Sequence, residues 1–178
     1  MNQYNMKWIK ESNEVLYSAN KRKLFSLSKN DVHHLQNLGQ TNERKKSRIC
    51  THNSIKENIH EMFIYHSKGA YIRPHKHLNK EESFHLISGE IVLLIFDKYG
   101  KITENLSMGD YASGKPFYYR ISSDIFHTQI ICKDTVFHEV TKGPFNKKDT
   151  IFPDWSPNEQ DKLFVENYQI EIQKNFNK

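Results

Sequence analysis

The chain has 178 residues, a net charge of +5 at neutral pH and two cysteines. That length suits one domain able to bury its own core, so no disulfide framework is needed. Cys50 and Cys132 read as free thiols of a reducing compartment, since no apolar leader opens the chain. No apolar run approaches the ~20 residues of a membrane helix, so no membrane partner is expected. The only dense basic cluster, Arg44-Lys-Lys-Ser-Arg48, has no aromatic residues interleaved with it. Nucleic acid is therefore not expected as a partner, whereas a small anionic ligand suits the modest positive charge.

Residues 1–58 are polar and mixed. Lys7-Trp-Ile-Lys and Glu14-Val-Leu-Tyr17 read as short strands. Ser28 is placed to cap a helix whose first turn carries Asp31, with Val32, Leu35 and Leu38 on a rough apolar face and Gly39 as its stop. Residues 59–142 read as all-β, with strands at 61–65, 70–73, 83–87, 90–97, 102–107, 117–121, 125–131 and 135–140. Asp97-Lys-Tyr-Gly100 has the chemistry of a hairpin turn. The continuous run Ile91-Val-Leu-Leu-Ile-Phe96 predicts a strand covered on both faces. So many short strands argue for a barrel or sandwich. Residues 143–178 read as an irregular segment around Trp155 followed by a polar tail, either a short surface helix or a frayed end.

The densest chemistry lies between Gly69 and Gly89, where His75, His77 and Glu82 share one short span. Strand side chains alternate, so His75 and His77 face one way together with Arg73. Glu82 shares parity with Phe84 and Leu86, which favours it over Glu81 and turns His85 away. On a later strand His127, Gln129 and Ile131 share parity. Three imidazoles and one carboxylate predict a divalent transition metal site of Fe, Mn, Zn or Ni with open positions, as in catalytic rather than closed sites. Arg73 suits capture of a carboxylate or phosphate, or else a salt bridge orienting a metal-site carboxylate. Gln129 is a candidate donor to the ligand, Tyr119 a candidate rim residue, and Glu139 a group able to reach the pocket.

Gly69-x5-His75-x-His77-x4-Glu82-x6-Gly89 matches the first cupin motif. Of the second, Gly109 and His127 fit, while Ser122, Asp124 and Ile131 stand where Pro, Gly and Asn are usual. Arg48-Ile-Cys-Thr-His52, His60-Glu-Met62, Arg73-Pro-His-Lys-His-Leu-Asn-Lys80, Phe117-Tyr-Tyr-Arg-Ile-Ser122, Gly143-Pro-Phe145 and Trp155-Ser-Pro157 go further. Through them the chain resembles the WbuC family of cupin-fold metalloproteins over residues 24–158. The resemblance implies an all-β cupin, a double-stranded β-helix or jelly-roll barrel at 59–142. An N-terminal arm with a short helix (1–58) and an irregular C-terminal segment (143–178) would flank it. It also raises Arg48 and His52 to pocket candidates, and by fold analogy implies a homodimer.

That family is associated with bacterial surface polysaccharide, notably O-antigen, biosynthesis. The expected function is a metal-dependent isomerase or epimerase of a sugar or nucleotide sugar. Glu139 or His52 would act as base, with Arg48, Arg73, Gln129 and Tyr119 toward the substrate. An Fe(II) oxygenase and a non-enzymatic saccharide-binding module are the alternatives.

Overall fold

Alternating strands sort the chain's apolar residues onto the inside of two facing sheets. The computed structural model describes residues 8–19 and 24–176. Its strands are β1 (Trp8–Lys10), β2 (Val15–Ser18), β3 (Lys46–Cys50), β4 (Ile59–His66), β5 (Lys76–His77) and β6 (Glu82–Ser88), continuing with β7 (Glu90–Phe96), β8 (Ile102–Gly109), β9 (Tyr118–Ile121), β10 (Phe126–Ile131), β11 (Thr135–Lys142) and β12 (Thr150–Ile151). Two helices accompany them, α1 (Lys29–Thr41) and α2 (Lys162–Phe176). One sheet runs β1-β2-β3-β4-β11-β6-β9 and the other β10-β7-β8. The pair β12-β5 continues the second sheet through a bridge between His75 and His127. Phe84, Leu86 and Phe137 from the first sheet meet Ile91, Leu93 and Ile131 from the second in one buried core. No helix among the described residues is long and apolar enough to cross a membrane.

The N-terminal arm is continuous with the barrel wall. β2 and β3 are parallel, so their connection has to cross over, and α1 is that crossover. β3 then pairs antiparallel with β4, setting Arg48 opposite Ile64 and Cys50 opposite Met62. Of the strand expected at Lys7–Lys10, Lys7 lies outside the described residues. The strand expected at 70–73 is not formed. This stretch runs irregularly into Pro74, which has no N–H to give a ladder, and pairs only at His75.

Helix α1 begins at a capping box: Asp31 N donates to Ser28 Oγ, and Ser28 N donates to Asp31 Oδ2 at 2.8 Å. Leu35 packs fully buried among Leu16, Ile49, Tyr65 and Val136. Gly39 does not stop the helix, which runs on to Thr41. It is small because a Cβ there would lie 2.4 Å from Tyr65 Cδ1 and 2.9 Å from Ser47 Oγ. Gly39→Ala is expected to destabilise the protein by about 1–3 kcal/mol through overpacking, although alanine favours a helix by about 1 kcal/mol. Urea denaturation measures the balance.

The C-terminal tail, expected as either a short surface helix or a frayed end, is the 15-residue helix α2. Its inner face carries Val165, Tyr168, Gln169 and Ile172 at helical spacing. Ile172 closes over Val92, Leu94 and Phe96 on the outer side of β7. That is why the run 91–96 is apolar on both faces.

Candidate metal centre

Each side chain of the centre arrives by strand parity. Glu82, Phe84 and Leu86 point inward from β6, while His85 points out. His127 and Gln129 point inward from β10, and His75 bridges to His127 across the sheet. Before β10 the chain turns through Asp124 at φ +67°, where the motif usually has glycine. Aspartate tolerates that left-handed conformation. Here its N–H donates to His77 O at 2.7 Å and its carboxylate pairs with Lys76 at 2.6 Å. The departure from the motif therefore leaves the turn intact.

One ring nitrogen from each of His75, His77 and His127 lies within 4.8 Å of the others. His75 Nδ1 donates to Arg73 O at 2.8 Å and His127 Nδ1 to Ile125 O at 2.9 Å, while His77 Nδ1 stands 3.2 Å from Thr150 Oγ1. These contacts orient the rings and leave the Nε2 atoms to face the centre. Glu82 is 4% exposed. Its two oxygens stand 2.8 Å from His127 Nε2 and 3.2 Å from His77 Nε2. Burial works against charge on Glu82, yet bonds from His127 and His77 hold its carboxyl well below the usual range. Burial likewise opposes charge on His127, but Glu82 raises its pKa. Burial, with His127 and His77 next, pushes His75 down to about 3.

His127 thus has an oxygen acceptor at each ring nitrogen. With Nδ1–H given to Ile125, its Nε2 and the Glu82 oxygen at 2.8 Å are both lone-pair donors unless a positive charge lies between them. A proton supplies that charge in the bare chain, and a divalent cation fits the same place. Three imidazole nitrogens and one carboxylate are the donor set such a cation takes. Glu81, the rival carboxylate, is on the surface and paired with Arg120.

The centre opens into a cavity of about 410 Å³ between the sheets. Glu139 lines it from β11, and its side chain makes no hydrogen bond to another protein group among the described residues. Burial first, and then the charge of Glu82, lift its carboxyl well above the usual range. Arg48 lines the cavity from β3. So does His52, buried against His60 with ring centroids 4.0 Å apart, its pKa lowered by burial and then by His60. Gln129 lines the floor and its Nε2 donates to Tyr119 OH at 2.8 Å.

Two expectations change. Tyr119 is not at the rim; it is buried in the core, stacked on Phe84 at 4.8 Å and set opposite it in the β6–β9 register. It reaches the cavity only through Gln129. Arg73 borders the cavity but donates through Nε and Nη2 to Ser156, at 3.0 Å each, and lies over the Phe152 ring. Its guanidinium ties the barrel to the C-terminal segment and orients no metal-site carboxylate. Lys80, unnoticed in the sequence, also lines the cavity.

His66 is buried at the cavity wall with Nδ1 unpartnered. Burial, then Lys46 and Arg48, lower its pKa well below normal. The folded chain keeps it neutral while the unfolded chain protonates it below about pH 6.5. Stability from this group is therefore full above that pH and lost as pH falls. His66→Gln is expected to flatten the acid limb by up to one proton, about 1.4 kcal/mol per pH unit, in urea titrations between pH 6.5 and 5.

A family described as a domain of unknown function (DUF6016) matches residues 27–108. No curated protein matches the sequence. Among solved structures, the capsular polysaccharide assembling protein CapF from Staphylococcus aureus is similar at 17% identity and a TM-score of 0.50 over 64% of this chain. These structural neighbours are cupin-fold proteins. The fold is the cupin fold. Protein SO0799 from Shewanella oneidensis is similar at 13% identity and a TM-score of 0.50, over 71% of this chain and 84% of that one. A mutant of Bacillus subtilis oxalate decarboxylase OxdC aligns at 21% identity and a TM-score of 0.45 over 55% of this chain. The chain spans about 25% of the length of the oxalate decarboxylase and 30% of CapF. Within this cupin fold, His75, His77 and His127 form a cluster whose ring nitrogens could hold a metal ion.

Proposed function

We propose that this cupin is a metal-dependent isomerase or epimerase acting on a sugar or nucleotide sugar in bacterial surface polysaccharide synthesis. The observation that carries the reading is Glu139, a cavity carboxyl with no protein hydrogen bond beside the three histidines and Glu82. The WbuC resemblance supports the setting, and one fold relative is named for capsular polysaccharide assembly.

When bound by His75, His77, His127 and Glu82, the cation supplies Lewis acidity at a substrate carbonyl. The remaining work belongs to the chain. Glu139 takes a proton from the carbon beside that carbonyl and returns it. Its raised pKa suits the task, because a group that gives and takes protons works best near the ambient pH. His52 is the second proton carrier on the cavity wall. Arg48 orients the substrate. Phe152, packed against His75 at 5.9 Å, keeps water from one flank.

The test is exchange in deuterium oxide. Metal-loaded protein incubated with a panel of sugars and nucleotide sugars is expected to place deuterium at one carbon of one of them. No incorporation anywhere in the panel rejects the isomerase reading. A second reading, an Fe(II) oxygenase, draws on the same histidine and carboxylate donors. Iron in the purified protein with substrate-dependent oxygen uptake would decide for it.

A further inference from the structure

Five cationic side chains line the cavity: Arg44, Lys46, Arg48, Arg73 and Lys80. Three are committed. Arg44 pairs with Glu14 and with Glu159 at 2.7 Å each, and Lys46 with Glu159 at 3.0 Å. Arg73 is held by Ser156. Among the described residues, Arg48 and Lys80 meet no carboxylate within ion-pair distance and donate no side-chain hydrogen bond. Both line the same cavity as Glu139, the carboxyl assigned to proton transfer.

A second, independent feature lies on β10, in the other sheet from Arg48. Gln129 is 6% exposed, and its Oε1 is buried without a partner although Nε2 is satisfied by Tyr119. A buried amide oxygen left unpaired on a cavity wall is poised for a donor from a ligand. Among the described residues, the cavity thus offers two cations without a side-chain partner and one unsatisfied acceptor two residues from His127.

We propose that the substrate is an anionic sugar: Arg48 and Lys80 hold its phosphate or carboxylate, and Gln129 Oε1 accepts a hydrogen bond from one of its hydroxyls. The arginine fork and the lysine point charge are complementary partners for such a group. The inference rests on reading the cavity as a sugar site and narrows that reading to one charge class. It also assigns Lys80 to substrate binding and leaves Arg73 to the C-terminal segment.

Calorimetric titration of the full chain, zinc-loaded and metal-stripped, uses glucose 6-phosphate, glucuronate and glucose as probes. At least one anionic sugar is expected to bind about tenfold or more tightly than glucose. Preference for glucose 6-phosphate identifies the group as phosphate, and preference for glucuronate as carboxylate. Arg48→Met and Lys80→Met are each expected to reduce the preference several-fold, and together to abolish it. Gln129→Leu weakens both sugar types and leaves the preference. Lys101→Met, a surface change elsewhere, leaves all of it. Should the double variant misfold, added potassium chloride must weaken wild-type binding of the anionic sugar and spare glucose. Equal affinity for charged and neutral sugars, no binding of either anionic sugar, or a preference that survives the folded double variant overturns the inference. A chain that prefers anionic sugars but binds no divalent cation refutes the metal reading alone. A chain that binds zinc without that preference refutes this inference alone.

Discussion

His127→Ala will destabilise the metal-free chain by about 3–5 kcal/mol, the usual cost of removing one partner from a buried ion pair. His127 and Glu82 are both buried and 2.8 Å apart, and each shifts the other's pKa toward the charged form. Truncation leaves the Glu82 carboxylate with only the longer contact to His77, at 3.2 Å. Equilibrium urea denaturation of metal-stripped protein reads the loss. A deficit below about 1 kcal/mol would mean that water solvates the pair and that the geometry contributes little.

The same substitution removes a proposed ligand. Losing a partner that merely orients a ligand costs about 10–100-fold in metal affinity, so losing the ligand should cost at least that much in a zinc competition titration. Stability and metal binding can be separated. Glu82→Met combined with His127→Leu replaces both charges by apolar groups of similar size, which is often near neutral for stability. That double variant should recover most of the folding free energy and none of the zinc binding. Recovery of both would remove His127 and Glu82 from the metal site.

The parts of the fold that were legible follow from period two. Once Phe84 and Leu86 are taken as inward, Glu82 must be inward and His85 outward, and the structure places them so. Ser28 and Asp31 were legible for an equally local reason, since a capping box spans only four residues. Gly39 was misread because a glycine that ends a helix and one that admits a tyrosine ring look alike in sequence; only the packed β4 strand distinguishes them. Tyr119 was read as a rim residue because its depth depends on the pairing that sets it beside Phe84, which the local sequence does not show.

Arg73 and Lys80 show the limit from the other side. Whether a cation is free for a ligand depends on every acid that the fold brings near it. Glu159 and Ser156 lie more than 80 residues from Lys46 and Arg73 in the chain. They arrive because the segment after β11 crosses the barrel, pinned by the β12–β5 pairing, by Trp155 Nε1 on Lys98 O at 3.2 Å and by Tyr71 OH on Pro157 O at 2.9 Å. A reading confined to neighbouring residues sees five equivalent cations, whereas among the described residues the fold leaves two, Arg48 and Lys80, with neither an ion pair nor a side-chain hydrogen bond.

Glu139→Gln will lower deuterium exchange by about 10²–10⁴-fold, the range that one positioned acid–base group contributes. The amide keeps the size of the carboxyl and cannot carry the proton. Zinc affinity should change little, because Glu139 is outside the proposed ligand set, and an unchanged exchange rate would pass the role to His52. Folding gives an independent reading of the same side chain. The folded-state pKa of Glu139 lies above its unfolded value, chiefly through burial. Its contribution is therefore full below about pH 4.5 and is lost as pH rises toward the folded pKa. The glutamine variant has nothing to ionise. In the metal-free state it should gain on the wild type as pH rises from 5 to 8. A parallel pair of stability curves would show that Glu139 is solvated like a surface acid, and its place as the proton carrier would go with that.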